Sequence, residues 1–159
     1  MGDVCIRYLD VIAAMRTALP LGQVDMQWLL NEIDDLDQAT QAWEQGIHPD
    51  YEYTTVHLTP EVAESICDLP SAYKGKRHIY KNKWSPHIWN KWRIMRLLLY
   101  RLKLDYGNLD TRQNCETRIR EISSDICLSV PSLLGFSREL FSGSVIFHVI
   151  TIAANVSLT

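Results

Sequence analysis

Five histidines, four cysteines and an aspartate group at Asp34, Asp35 and Asp37 are the residue types in this 159-residue chain with chemistry to offer. A metal site needs donors at short spacing, such as C-x2-C or C-x4-C pairs or histidines four apart on a helix, so that one element presents two ligands to one ion. Cys5, Cys67, Cys115 and Cys127 are far apart, and His48, His57, His78, His87 and His148 contain no such pair. Cys5, Cys67 and Cys127 have apolar neighbours and read as small buried thiols. His78 and His87 lie close to Tyr and Trp and read as packed or solvent-facing imidazoles. Asp34, Asp35 and Asp37 would suit acid–base work only if they converged. Neighbouring helical positions point to different faces, so an acidic helix surface is the reading. No G-x-S-x-G, H-E-x-x-H, Walker loop or G-x-G-x-x-G occurs. No catalytic, cofactor-binding or metal-ligating residue is assigned, no cofactor is expected, and the chain is expected not to be an enzyme.

The elements around these residues suit a chain of one domain, with 47% apolar and 22% charged residues and no low-complexity run. Charge alternates in blocks. Residues 1–60 hold two basic and ten acidic side chains, a net of −8, whereas residues 61–104 hold ten and three, a net of +7. Such blocks attract one another within a fold or attract an external anionic partner; internal compensation is the simpler account, and direct nucleic-acid binding is not implied. The opening "MGDVCIRYLD" has acidic residues where a secretory signal would be basic, so a reduced, intracellular setting is expected.

Val4 to Leu19 reads as a helix through Ile6, Leu9, Ile12, Ala13, Met15 and Ala18, ended by Pro20. A second helix from Met26 carries Leu29, Ile33, Leu36 and Trp43 at alternating three and four spacing, broken only by Thr40. An antiparallel pair is expected. Residues 46–84 contain Gly46, Pro49, Pro60, Pro70 and Gly75 without helical period and read as a long irregular connection, with "YEYTTVHL" its best strand candidate and Pro60 to Cys67 a short-helix candidate.

Trp84 to Asp105 is the densest stretch. Ser85 is placed to cap a helix and Pro86 to open it. At 100° per residue Ile88, Trp92, Met95, Leu99, Leu102 and Tyr106 form one stripe, while Lys91, Arg93, Arg96, Arg101 and Lys103 are spread around the helix with Ile94, Leu97, Leu98 and Leu104 between them. A calmodulin ligand or membrane-surface helix would gather its cations opposite the stripe. Scattered cations instead suit a central bundle helix whose basic stems snorkel outward. A fourth helix from about Asp110, through Ile119, Ile122, Ile126 and Cys127, is expected to stop before Pro131. From Leu140 to Leu158 no residue is charged, but serines, Gly143, His148, Thr151 and Asn155 weaken any membrane insertion. A buried terminal helix, a tail anchor and disorder remain open there.

"HPDYEYTTV", "YKGKRHIYKNKWSPHIWNKWRIMRLLLYRL" and "ISSDICLSVPSLLG", taken in order, resemble the C-terminal half of the regulatory region of fungal binuclear zinc cluster transcription factors. Trp43, Tyr51, Tyr53, Tyr80, Trp84, Trp89, Asn90, Trp92, Arg93, Arg96, Leu98, Leu99, Ile126, Cys127, Ser129, Val130, Pro131, Leu134 and Gly135 carry the resemblance, which spans about residues 20–136; the stretch 137–159 departs from it. It implies an all-α regulatory domain in the nucleus, sometimes in secondary metabolism. The six-cysteine zinc cluster that binds DNA in that family has no counterpart here.

The expectation is thus an all-α bundle of four to five helices in one domain. It would act in transcription through protein partners, chiefly a DNA-binding factor, with Trp84, Trp89, Trp92, Arg93, Arg96, Met95, Leu99 and Leu102 as structural and interaction residues. A cytoplasmic location, a membrane- or calmodulin-associated adaptor and an enzyme of an unrecognised helical family are the alternatives.

Overall fold

The computed structural model describes residues 2–59, 73–107 and 109–140. It is mainly helical, with four long helices and a two-stranded sheet: α1 (Gly2–Ala18), α2 (Met26–Gln45), β1 (Tyr53–His57), β2 (Lys76–Tyr80), α3 (Ser85–Tyr106) and α4 (Leu109–Leu140). The Pro60 to Cys67 candidate and the uncharged stretch beyond Leu140 lie outside the described residues. Among the described residues no helix is long and apolar enough to cross a membrane.

Local chemistry sets most boundaries. After α1 a 3-10 turn over Leu19–Leu21 holds Pro20, and Gly22 takes the left-handed conformation (φ 64°) that a Cβ would strain. Its N–H donates to Leu19 O, and that of Gln23 reaches back to Ala18 O. Asp25 caps α2 by accepting from the Trp28 N–H at 3.0 Å. The cap of α3 is not Ser85. Asn82 Oδ1 accepts from the N–H groups of Trp84 and Ser85 at 2.9 and 3.0 Å, and Pro86 needs no donor partner in the first turn. Ser85 is a buried helical residue whose hydroxyl has no partner.

The long 46–84 connection is present, and "YEYTTVHL" supplies β1; its antiparallel partner, which the sequence did not single out, is the basic stretch Lys76–Tyr80, in register Tyr53↔Tyr80, Thr55↔His78 and His57↔Lys76. One boundary expectation is overturned: α4 does not stop before Pro131 but continues to Leu140 with Pro131 buried inside it. A proline there forfeits one helical hydrogen bond and crowds the preceding turn. Burial offsets that cost, since Ile126, Leu128 and Leu133 of the same stretch are buried and the Ser132 hydroxyl is tied to β2.

α3 is the central helix. One face packs with α1 and α2 through Met95, Leu99 and Leu102 against Val11, Met15, Leu29, Ile33 and Leu36. The opposite face packs on α4 through Leu97 and Tyr100 against Cys115, Ile119, Ile122 and Ile126. Near its start Trp89 and Trp92 join Tyr80, with Trp43, Ile47 and Tyr53 packed around them. Fully buried leucines such as Leu99 contribute about 2 kcal/mol each by transfer from water. Paired positions such as Asp34 with Lys103, Thr40 with Trp92 and Trp43 with Trp89 make α2 and α3 antiparallel.

The apolar positions of α1 sort differently from their spacing. Val11 and Met15 are buried, while Ile6 and Leu9 are exposed. α1 packs chiefly on α2 and adds Val11 and Met15 to the cluster shared with α3, so the side that carries Ile6 and Leu9 has no partner among the described residues. Met26 is likewise exposed, whereas Thr40, the break in the α2 seam, is wholly buried.

Candidate functional site

Where β2, α3 and α4 meet, the side chains are polar and buried. Arg93 is 0% exposed, and among the described residues no carboxylate lies at ion-pair distance from it. Its guanidinium instead uses neutral acceptors: Nη1 donates to Tyr80 Oη at 2.9 Å and to Asn90 Oδ1 at 3.0 Å, and Nη2 donates to His78 Nδ1 at 3.2 Å. It also lies 5.0 Å from the Tyr53 ring centroid and 5.7 Å from that of Trp89, within cation–π range. Moving a bare cation into such a site is costly, and this set of acceptors and ring faces makes it tolerable. Burial pulls the Arg93 pKa down, but the Tyr80 and Tyr53 phenols and Asp125 outweigh it, and the net shift is upward.

Each neighbour is positioned by its own element. Alternation in β2 turns His78 and Tyr80 inward and leaves Ile79 exposed. Asn90 lies one helical turn before Arg93 and reaches α4, where its Nδ2 donates to Ser129 Oγ at 2.9 Å. The single Ser129 hydroxyl proton then belongs to the Ile126 carbonyl at 2.6 Å. Ser132 Oγ donates to the His78 carbonyl at 2.7 Å, fastening the strand to α4. His78 is 1% exposed, and burial, with Arg93's charge second, lowers its pKa to about 3. It is therefore neutral. Because Nδ1 accepts from Arg93, the ring proton sits on Nε2, 3.8 Å from Asp125 Oδ1. Burial raises the Asp125 carboxyl, with Arg93 opposing.

Two tryptophans complete the junction. Trp89 Nε1 donates to the Tyr51 carbonyl at 2.7 Å, and Trp92 Nε1 to the Thr40 carbonyl at 2.9 Å. Trp43, Tyr53, Trp89 and Trp92 meet edge to face, with centroids 5.0 to 5.8 Å apart. The Pro49–Tyr51 turn is held as well, by Lys81 Nζ on the Pro49 carbonyl and Asn82 Nδ2 on that of Asp50.

Beside the junction lies a cleft of about 560 Å³ between α2 and α4, floored by α3. Arg96 and Lys103 line it and are paired across to α2. Lys103 Nζ is 3.0 Å from both Asp34 and Asp37, and Arg96 Nη2 is 3.3 Å from Asp37 Oδ1, with Glu44 at 3.9 Å from Nη1. The Arg96–Asp37 contact is an ion pair without hydrogen-bond geometry, since Asp37 Oδ1 has no donor. Arg96 also donates to Tyr100 Oη. The acidic and basic blocks therefore face one another across α2 and α3. Asp37 corrects the reading of a solvated acidic surface: it is buried, while Asp35 pairs with Arg7 of α1.

Of the eight residues singled out from the sequence, Trp89, Trp92, Arg93, Met95, Leu99 and Leu102 are buried and Arg96 nearly so. Arg93 departs from the expected outward stem. Trp84 is 49% exposed, flanked by Lys83 and His87. His78, Asn90's link to Ser129, and Asp125 were not found as a set, because they come from three elements; only the inward alternation of "KRHIY" hints at His78. Cys115 is buried, whereas Cys5 and Cys127 are half-buried. Burial raises the Cys115 and Cys127 thiols away from reactivity. Among the described residues no group of three or more His, Cys, Asp or Glu is arranged to hold a metal ion. No protein-family model, curated protein or solved structure matches the chain.

Proposed function

We propose that this chain is a helical interaction domain of the transcription-regulator type, which acts in the nucleus through a DNA-binding protein partner, in regulation of a fungal secondary-metabolite pathway. One observation carries the reading. The residues behind the family resemblance, among them Trp43, Tyr53, Tyr80, Trp89, Asn90, Trp92, Arg93 and Ser129, join into one connected junction rather than scattering. A resemblance that falls on the residues tying five elements together is what a shared architecture would leave. Charge placement supports action through a partner. Arg96, Arg101 and Lys103 of α3 pair with acidic side chains of the chain itself, and Arg93 is buried, so α3 offers phosphates no basic face. The burial of Met95, Leu99 and Leu102 against α1 and α2 favours this reading over an adaptor that uses the stripe of the 85–106 helix.

The test is chromatin recovery of the tagged chain from its native host, with partner proteins identified from the same crosslinked material. Enrichment at discrete promoters together with one DNA-binding protein is the expected result. Tight DNA binding by the purified chain at physiological salt, or recovery only from membranes or cytosol, would overturn it.

A further inference from the structure

Hydrogen-bonding capacity is left over in the floor of the cleft between α2 and α4. Asp37 is 7% exposed; its Oδ2 takes the Lys103 ammonium at 3.0 Å, while its Oδ1 accepts no hydrogen bond from the described residues. Arg96 is held against the Trp92 and Tyr100 rings, its guanidinium carbon 5.2 and 5.1 Å from their centroids, and donates through Nη2 to Tyr100 Oη. Its Nε–H, shielded from solvent like Asp37 Oδ1, donates to nothing among the described residues. A strong acceptor and a strong donor are thus both buried and unmet, on two side chains that line the cleft.

Their placement ties the two atoms together. Asp37 Oδ1 is 3.3 Å from Arg96 Nη2, and Nε is joined to that nitrogen through one guanidinium carbon, so a single oxygen at hydrogen-bond distance from both can bridge them. Such an oxygen has to accept from Nε–H and donate to Oδ1, which a hydroxyl does with one atom.

We infer that the cleft binds a neutral polyhydroxylated ligand, a polyol or sugar, one hydroxyl of which bridges Asp37 Oδ1 and Arg96 Nε. The rest of the lining fits that class. It holds four carboxylates and three cations, so an ion of either sign meets its like there as well as its opposite. The Gln41, Gln45 and Asn114 amides each offer a donor and an acceptor, as neighbouring hydroxyls do. A volume of about 560 Å³ lies within the range of small-ligand pockets. Glu44 gives way on entry: its side chain is 43% exposed and stands 3.9 Å from Arg96 Nη1, so turning it outward breaks no hydrogen bond among the described residues.

The experiment is an amide-resonance titration of the full chain with D-glucose, D-xylose, sorbitol and myo-inositol, and with acetamide and N-methylurea as neutral probes that lack hydroxyls. Saturable shifts centred on residues around 37, 96 and 118 are expected with at least one of the four polyols and with neither amide. Arg96→Lys keeps the cation but removes the Nε–H, and should weaken binding at least about tenfold. Because Arg96 is nearly buried, Gln41→Met on the half-buried part of the α2 wall is the second variant, and should weaken binding about threefold or more. Gln113→Ala, exposed and outside the cleft, should leave it unchanged. Shifts that never saturate with any of the four polyols would overturn the site, as would unchanged affinity in a folded Arg96→Lys chain, or in Gln41→Met where that chain does not fold. Equal or tighter binding of an amide would overturn the hydroxyl as the group recognised. None of these results bears on promoter recruitment, which the chromatin experiment decides.

Discussion

Replacing His78 by Asn removes one titrating group from the centre of the fold and leaves an acceptor near the position of Nδ1. In the folded chain burial, followed by Arg93's charge, holds this histidine at about 3, against 6.5 when exposed. Its folded pKa is thus below its unfolded one. As pH falls below 6.5 the unfolded chain takes up a proton that the folded chain refuses until about pH 3, so stability is lost on acidification. The limiting slope is about 1.4 kcal/mol per pH unit, and the loss by pH 4.5 is about 3 kcal/mol. That is a large part of the 5 to 15 kcal/mol typical of a domain. Urea unfolding of both chains, followed by tryptophan fluorescence at steps from pH 7.5 to 4.5, isolates the effect, because the other histidines and carboxylates cancel in the difference. Asp125 is the exception. Burial raises its carboxyl, so it titrates with opposite sign, and the pair of measurements is repeated in an Asp125→Asn background. His78→Asn should be less stable at pH 7.5 through lost packing, and the gap should close by about 3 kcal/mol by pH 4.5. Stability curves that stay parallel would refute the burial and neutrality of His78, and with them the account of how Arg93 is held.

Asn90→Ala and Ser129→Ala break the same pair between α3 and α4, so a double-mutant cycle by chemical denaturation should give a coupling of about 1 to 2 kcal/mol; strict additivity would contradict the contact. Trp92→Phe removes the buried indole hydrogen bond to the Thr40 carbonyl and part of the ring's packing and should cost about 1 to 3 kcal/mol, read as a shift in urea midpoint, whereas Trp84→Phe at the exposed neighbour should cost under about 0.5. Asp37→Asn leaves Lys103 with Asp34 alone and Arg96 with the distant Glu44; thermal unfolding should show a loss of about 1 to 3 kcal/mol, with Asp35→Asn on the exposed side nearly silent. Leu99→Ala, at a fully buried site facing α1 and α2, should cost about 2 to 5 kcal/mol by the same assay.

Periodicity carried the helices well because each amphipathic stripe meets a partner with the same spacing: Leu29, Ile33 and Leu36 against Met95, Leu99 and Leu102. It failed where burial is decided by a neighbour. Ile6 and Leu9 keep a helical spacing, but nothing among the described elements covers them. Thr40 looks like a break in a seam and is buried, because the Trp92 indole needs its carbonyl. Pro131 carries a local stop signal that three buried apolar neighbours outweigh. β2 was hidden by composition: "KRHIY" is three-fifths basic or histidine, and only its pairing with β1 makes it a strand. The candidate site was harder still, since His78, Arg93 and Asp125 lie on β2, α3 and α4 and share no local pattern.

Arg93 shows why the cations of α3 could not be sorted by spacing alone. Scattered basic residues mean that the helix lacks a single solvent face, which the sequence supports, but not which of them goes inward. Position within the helix decides. Arg96 and Lys103 point toward α2, whose acidic residues at 34, 37 and 44 recur at three and seven spacing to meet them. Arg93 lies one turn earlier, where α2 has already ended its acidic row and β2 brings Tyr80 and His78 instead. A carboxylate is not supplied there, so the charge is held by neutral acceptors and ring faces, which demand closer placement than an ion pair does. That requirement links the junction to fold specificity. A register slip of one residue in β2 would turn His78 and Tyr80 outward and leave a buried guanidinium without acceptors, a penalty no solvent-exposed pair would impose. The Arg93 junction therefore selects the hairpin register, and the paired row of Arg96 and Lys103 selects the alignment of α2 along α3.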